Sequence, residues 1–135
     1  MGEFTVSRVP RFREHLKTGF MAEAASAASY RAYAARAADS GRPNLARRWL
    51  EIAAEKDTLA ILQLEATETL GSAATCLRSA IAEENYENDV LYPKMIRDLE
   101  GEPARVLQKV VEAQQQHLEH LERLQASLQS SEGDV

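Results

Sequence analysis

Residues 80–93 read AIAEENYENDVLYP, and this stretch decides the fold. One helical stripe through it mixes apolar and polar side chains: Leu77, Ile81, Glu84, Asn88 and Leu91. Glu84 therefore takes a position where a core leucine is expected, and Glu87 lies beside it on nearly the same face. A carboxylate buried between helices costs several kcal/mol unless another group compensates its charge. The stretch thus predicts a helix whose buried face carries a polar site.

Composition and charge narrow the class of protein. A chain of 135 residues is long enough for one domain with its own core, and 6% aromatic content with few glycines and prolines favours helices. The net charge of −5, with acids and bases interleaved, predicts no surface for nucleic acid or anionic lipid. The lone Cys76 permits no internal disulfide, and no apolar run reaches ~18 residues. We expect a cytoplasmic protein with no membrane partner.

Helix-breaking residues divide the chain into four predicted helices within a single domain spanning 1–135. Breaks fall at residues 40–43 (SGRP), 71–72 (GS) and 101–103 (GEP). The predicted helices cover residues 11–39, 44–67, 73–98 and 103–129, with Asn44 and Ser72 as N-caps and Pro93 kinking the third. The first eight or so residues and the tail 130–135 are expected to be disordered.

Each predicted helix carries an apolar stripe that a polar residue interrupts near its middle. These residues are Glu23 in the first helix, Glu55 in the second, Glu84 and Glu87 in the third, and Gln114 and His117 in the fourth. Apolar stripes on four such segments predict an all-α, four-helix bundle. Two divalent cations would balance the four carboxylates, and oxygen ligands with one imidazole suit iron or manganese, with zinc as a further candidate.

Two other interpretations compete with a metal site. Basic partners could compensate the carboxylates, since Arg31 and Lys56 lie close enough in the sequence pattern. A single glutamate on a core stripe is also more often a slightly rotated surface residue, and a lone His117 more often a hydrogen-bonded core histidine. Each of the four helices carries a polar residue near its middle, and this agreement favours one shared site over four unrelated polar residues.

Four ordered blocks resemble the diiron domain of the rubrerythrin family, within the ferritin-like superfamily. The blocks are residues 19–23 (GFMAE) followed by Tyr30, residues 52–58 (IAAEKDT), residues 80–87 (AIAEENYE) with Tyr92-Pro93 behind them, and residues 111–117 (VEAQQQH). The third is the closest, since the family pattern there is Ala-Ile-x-Gly-Glu-x-Tyr-Glu, usually followed by Tyr-Pro. The second and fourth correspond to helices built around Glu-x-x-His.

The resemblance implies a ferritin-like fold, a two-metal site that holds iron, and a set of site residues. The implied metal ligands are Glu23, Glu55, Glu84, Glu87 and His117, with Tyr30 as a catalytic hydrogen-bond donor. The chain departs from the family at Thr58, which replaces a histidine, and at Gln114, which replaces a glutamate and offers only a neutral oxygen. These losses predict weaker metal binding or a single ion. One cysteine cannot build a rubredoxin iron site, so any electron donor would be external.

Two functions follow from this resemblance. The first is a metal-dependent oxidoreductase acting on peroxide or dioxygen. The alternative is a bundle with a degenerate site that serves as a non-catalytic metal-binding or interaction module. The retained carboxylates favour metal binding in both cases, whereas Thr58 and Gln114 favour the alternative.

The linker between the second and third helices predicts exchange between two chains. In ferritin-like bundles these two helices run parallel, so their connection must travel the length of the bundle, ~30 Å. The irregular segment 68–72 spans at most ~18 Å. We therefore expect a homodimer, in which Glu23 and Glu55 of one chain meet Glu84, Glu87 and His117 of the other.

Overall fold

The computed structural model describes the backbone of residues 2–130 and 134, and the side chains of residues 11–130 and 134. Its elements, in chain order, are α1 Gly2–Asp39, α2 Pro43–Ala66, α3 Ala73–Tyr86, a π-helical turn Glu87–Leu91, α4 Tyr92–Arg97 and α5 Glu102–Ser130. No strand occurs in this described part, which confirms the all-α class. None of its helices is both long and apolar enough to cross a membrane. The predicted disorder at 131–133 and 135 lies outside the described residues.

The chain divides into two compact units, Met1–Leu70 and Gly71–Val135. The first is a hairpin of α1 and α2, and the second is a hairpin in which α3, the π-turn and α4 pack against α5. The predicted helix boundaries agree with the observed ones within two residues, except that α1 begins at Gly2 instead of about residue 11. Ferritin-like identity and exchange between chains stay predictions.

The turn of the first hairpin follows from its glycine and proline. Gly41 has φ of 76°, the left-handed conformation that glycine adopts without strain. The N–H groups of Gly41 and Arg42 donate to the carbonyls of Ala38 and Ala37, which closes the end of α1. Pro43 then opens α2, so the helix begins one residue before the predicted cap, Asn44.

Alanines form the contact between α1 and α2. The buried members are spaced at helical intervals: Ala27, Ala34 and Ala37 on α1, and Ala46, Ala53 and Ala60 on α2. Small side chains let two helices approach closely, and a Cβ added to Gly19 would meet the Gln63 side chain. The stripe predicted on α2, at residues 45, 52, 55, 59, 62 and 66, instead lies exposed, with Leu45 at 45% and Leu62 at 60%. On α1 the predicted stripe already includes the buried alanines, whereas on α2 the sequence pattern favours larger residues than those that form the contact.

The second hairpin contains the stretch AIAEENYENDVLYP. Ser72 caps α3 as predicted, since its hydroxyl accepts from the N–H of Thr75. A π-turn occupies the residues directly before Tyr92-Pro93, and the kink predicted at Pro93 stays a prediction. Proline has no N–H and its ring collides with the carbonyl four residues earlier, which here belongs to Asp89 inside that turn. The i→i+5 bonding of the turn, in which the Tyr92 N–H donates to the Glu87 carbonyl, widens the helix just before that ring.

Candidate metal centre

In the first hairpin, Glu23 has a cationic partner from its own chain. The Lys56 ammonium lies 2.7 Å from Glu23 Oε2, and both side chains are about one-quarter exposed. The two side chains therefore form an ion pair. The Glu23 carboxylate raises the pKa of Lys56 above its ordinary value of 10.5, although partial burial opposes this shift. The basic-partner interpretation thus applies to Glu23.

The other residues predicted in this hairpin lie apart from that pair. Glu55 is exposed on α2. The Thr58 hydroxyl donates to the Ala54 carbonyl of its own helix at 3.2 Å. Tyr30 is half-buried and stacks on Trp49, with ring centroids 4.9 Å apart. Tyr33 completes this aromatic cluster, 5.2 Å from Trp49.

In the second hairpin, four predicted site residues lie in two pairs, one between the π-turn and α5 and one between α3 and α5. The Gln114 amide donates to Glu87 Oε1 at 3.3 Å, where α5 crosses the start of the π-turn. One turn earlier on α3, Glu84 Oε1 lies 3.9 Å from His117 Nδ1, which is beyond hydrogen-bond distance. Pairs 87–114 and 84–117 have the register of antiparallel helices, so the structure brings these four residues to one level of the hairpin.

The carboxylates of this second hairpin differ from Glu23 in their charge compensation. Among the residues with described side chains, neither Glu84 nor Glu87 forms an ion pair with Lys or Arg. Glu84 is 20% exposed, while its neighbour His117 is 65% exposed. Among the described side chains, Glu84 thus has the exposed His117 as its ion-pair partner, and Glu87 has the neutral Gln114 amide as its hydrogen-bond partner.

Several buried polar atoms in this hairpin find no hydrogen-bond partner within the described chain. They are Glu84 Oε2, Gln114 Oε1, and both Oδ1 and Nδ2 of Asn88. Buried polar side-chain atoms are usually paired, so such a cluster needs an explanation. Three of the four atoms are oxygens, which are the ligands that hard divalent cations prefer.

This donor set fits a divalent cation only with the help of amide oxygens. No three side chains among His, Cys, Asp and Glu come together as a metal-holding group in the part of the chain that the structure describes. Glu84 and Glu87 supply two negative charges, which balance one divalent cation. Gln114 Oε1 is a neutral oxygen without a hydrogen-bond partner among the described residues, and His117 lies at the exposed margin of the group.

Sequence reasoning missed two features of these hairpins. It weighed Lys56 as a competitor for the carboxylates but did not assign it to Glu23. The sequence pattern placed Asn88 on the core stripe but gave it no role. Asn88 is 8% exposed and is one of two buried polar residues in the described chain. The signal for Asn88 was its spacing of four residues from Glu84.

An open groove of about 390 Å³ lies at the turn end of the first hairpin. Two aromatic rings and two arginines contribute to its lining: Tyr33, Trp49, Arg36 and Arg42. It contains none of the predicted metal ligands.

Comparisons with known proteins neither support nor contradict the family assignment made from the sequence. The chain matches no model of a known protein family, and no curated protein matches it significantly. Membership of the rubrerythrin family therefore stays a prediction that rests on the four sequence blocks.

Proposed function

We propose that this protein binds a divalent metal ion, iron or manganese, through the hairpin of α3 and α5. The observation that carries the proposal is the buried, unpaired Glu84 Oε2 on the same level as Glu87, Gln114 and His117. A cation would supply the positive charge that this group of side chains does not receive from Lys or Arg. Zinc is a weaker candidate, since it favours nitrogen and sulfur ligands.

The ion pair between Lys56 and Glu23 favours the binding of one metal ion over two. An ammonium already balances Glu23, which leaves Glu55 as the one carboxylate of the first hairpin, among the predicted ligands, without an ion pair among the described residues. Glu55 would be the remaining ligand from the first hairpin, as the rubrerythrin resemblance implies.

A more specific version of this proposal is that the protein is an enzyme that turns over peroxide or dioxygen, and this version rests on the resemblance to the rubrerythrin family. The Lys56–Glu23 pair and the replacements at Thr58 and Gln114 support the alternative, a metal-binding or interaction module without catalysis. Tyr30 packs against Trp49, a contact that a purely structural tyrosine also makes. Peroxide consumption by the metal-loaded protein, with an external reductant, distinguishes the two forms.

We also propose that two copies combine their hairpins, as predicted from the linker. Residues 67–72 connect α2 to α3 and extend over at most ~22 Å. The 24 residues of α2 measure ~36 Å. If α2 and α3 of one chain were parallel in the same bundle, the linker would have to span the length of α2, which is longer than its reach. The linker need not do so if α3 packs against the first hairpin of a second copy. The exposed apolar side chains of α2 supply a surface for such an interface.

Glu84→Gln tests the metal proposal, because it keeps the shape of the side chain and removes its charge. Metal content after loading with Fe²⁺ or Mn²⁺, measured by elemental analysis, should fall to background. The matched control is Glu83→Gln on the exposed neighbour, which should leave metal content unchanged. Equal metal content in wild type and Glu84→Gln would refute the site. Light scattering on the same samples tests the dimer, and a monomeric mass would refute exchange.

A further inference from the structure

Asn88 is buried to an extent that is unusual for an unpaired amide. Its side chain is 8% exposed, and neither Oδ1 nor Nδ2 has a hydrogen-bond partner among the residues that the structure describes. Asparagine is seldom buried unless its amide is satisfied. An apolar residue of similar size would fill the same space without this cost. The position therefore indicates a ligand for the amide group.

Its place in the fold directs this amide towards the cation site. Asn88 follows Glu87 directly in the π-turn and lies four residues after Glu84, so its side chain is a neighbour of Glu84 on the helix surface. The π-turn packs against α5, and the 84–117 and 87–114 pairs put position 88 opposite residues 110–114 of that helix. Buried Val111 in this segment has no side-chain hydrogen-bonding group. π-Turns of this kind are frequent at functional sites.

We infer that the Asn88 amide oxygen is a ligand of the divalent cation, beside Glu84, Glu87 and the Gln114 amide oxygen. The inference rests on the proposed function and goes beyond it, because the rubrerythrin resemblance assigns no role to position 88. Two carboxylates and two amide oxygens form a neutral, hard-oxygen site with a single Mn²⁺ or Fe²⁺ ion. A cation bound there would account for the three unpaired buried oxygens of the hairpin, which are Glu84 Oε2, Gln114 Oε1 and Asn88 Oδ1.

The test uses the full chain, stripped of metal and titrated with MnCl₂, with free Mn²⁺ followed by electron paramagnetic resonance. Asn88→Leu removes the oxygen at similar volume, and we expect roughly 10–100-fold weaker Mn²⁺ binding. Asn88→Asp adds a charged oxygen and should bind Mn²⁺ at least as tightly as the wild type. The matched controls are Asn85→Leu and Asn85→Asp, on a neighbouring asparagine that has no unpaired buried atom among those described. Their affinities should equal that of the wild type.

The outcomes separate this inference from the proposed function. If the wild type binds no Mn²⁺ or Fe²⁺, the proposed function fails and the inference with it. If the wild type binds Mn²⁺ and folded Asn88→Leu binds it equally well, only the inference is overturned. A changed mass by light scattering with unchanged affinity also overturns it, because Asn88 would then serve an interface. Should circular dichroism show that Asn88→Leu is unfolded, Asn88→Asp decides: undiminished affinity supports the inference, and weaker binding in the folded variant overturns it.

Discussion

Gln114→Glu restores the carboxylate that the rubrerythrin resemblance expects on α5, and the structure predicts what that change costs. Gln114 now donates to Glu87 Oε1 at 3.3 Å. The substitution removes this donor and sets two negative charges at the same separation. Without metal, the variant should be less stable than the wild type.

The magnitude follows from the separation of the two groups. Coulomb repulsion at 3.3 Å is about 1 kcal/mol at a dielectric constant of ~80 and about 5 kcal/mol at ~20. Both side chains are half-buried and can rotate apart. We therefore expect the free energy of unfolding to fall by ~1–3 kcal/mol, a range that includes the lost hydrogen bond. A bound divalent cation would turn the repulsion into coordination by both carboxylates, so added metal should restore the loss.

Urea denaturation measures this effect in EDTA and again with MnCl₂. The control is Gln115→Glu on the exposed neighbour, which adds the same charge and should change stability by less than ~0.5 kcal/mol. An unchanged stability of Gln114→Glu in EDTA would refute the Glu87–Gln114 contact. Destabilisation that MnCl₂ does not reverse would instead refute the cation site while leaving the contact intact.

Three further predictions concern the two hairpins. Ala53→Leu, at a 1% exposed position in the α1–α2 contact, should lower the free energy of unfolding by ~1–3 kcal/mol in urea, whereas Ala54→Leu on the exposed side should change it little. Lys56→Met should destabilise the metal-free protein near neutral pH, because Glu23 loses its counter-charge. Since Glu23 raises the pKa of Lys56, the stability that the ion pair contributes is fully present below pH 10.5 and is lost as the pH rises through the folded-state pKa. The thermal midpoints of Lys56→Met and the wild type should therefore converge above that pKa. A difference that stays constant with pH would contradict the ion pair. Ser72→Ala should cost ~0.5–2 kcal/mol in thermal unfolding through loss of the α3 cap, and an unchanged midpoint would argue against that cap.

Local signals in the sequence predicted the helices well, because they act through bonds that neighbouring residues make. Gly41 ends α1 and Ser72 caps α3 through contacts within five residues along the chain. The contact face of α2 was harder to predict, because it depends on a partner helix. Leucine and alanine stripes both repeat at helical spacing, and only the observed pairing with α1 selects the alanines.

The candidate site was predictable in its residue types but not in its charge compensation. Glu84, Glu87, Gln114 and His117 meet across the second hairpin as the stripes suggested. Whether a carboxylate meets a lysine or stays unpaired depends on side-chain reach, which helical periodicity does not encode. Lys56 therefore pairs with Glu23 although it lies off the predicted stripe.

The π-turn makes the length of this helix adjustable by one residue. A π-turn holds one more residue than the α-helical turn it replaces, so deleting a residue from Glu87–Leu91 leaves a backbone that can close as a regular α-helix. The deletion would leave the helical segments on either side in nearly the same orientation, because it removes the one residue that widens the turn. Only the side chains within the turn, Glu87 and Asn88 among them, would change position, without any other residue being substituted. Single-residue gain or loss at this point is thus a route by which a helical hairpin could acquire or abandon a polar site in one genetic step.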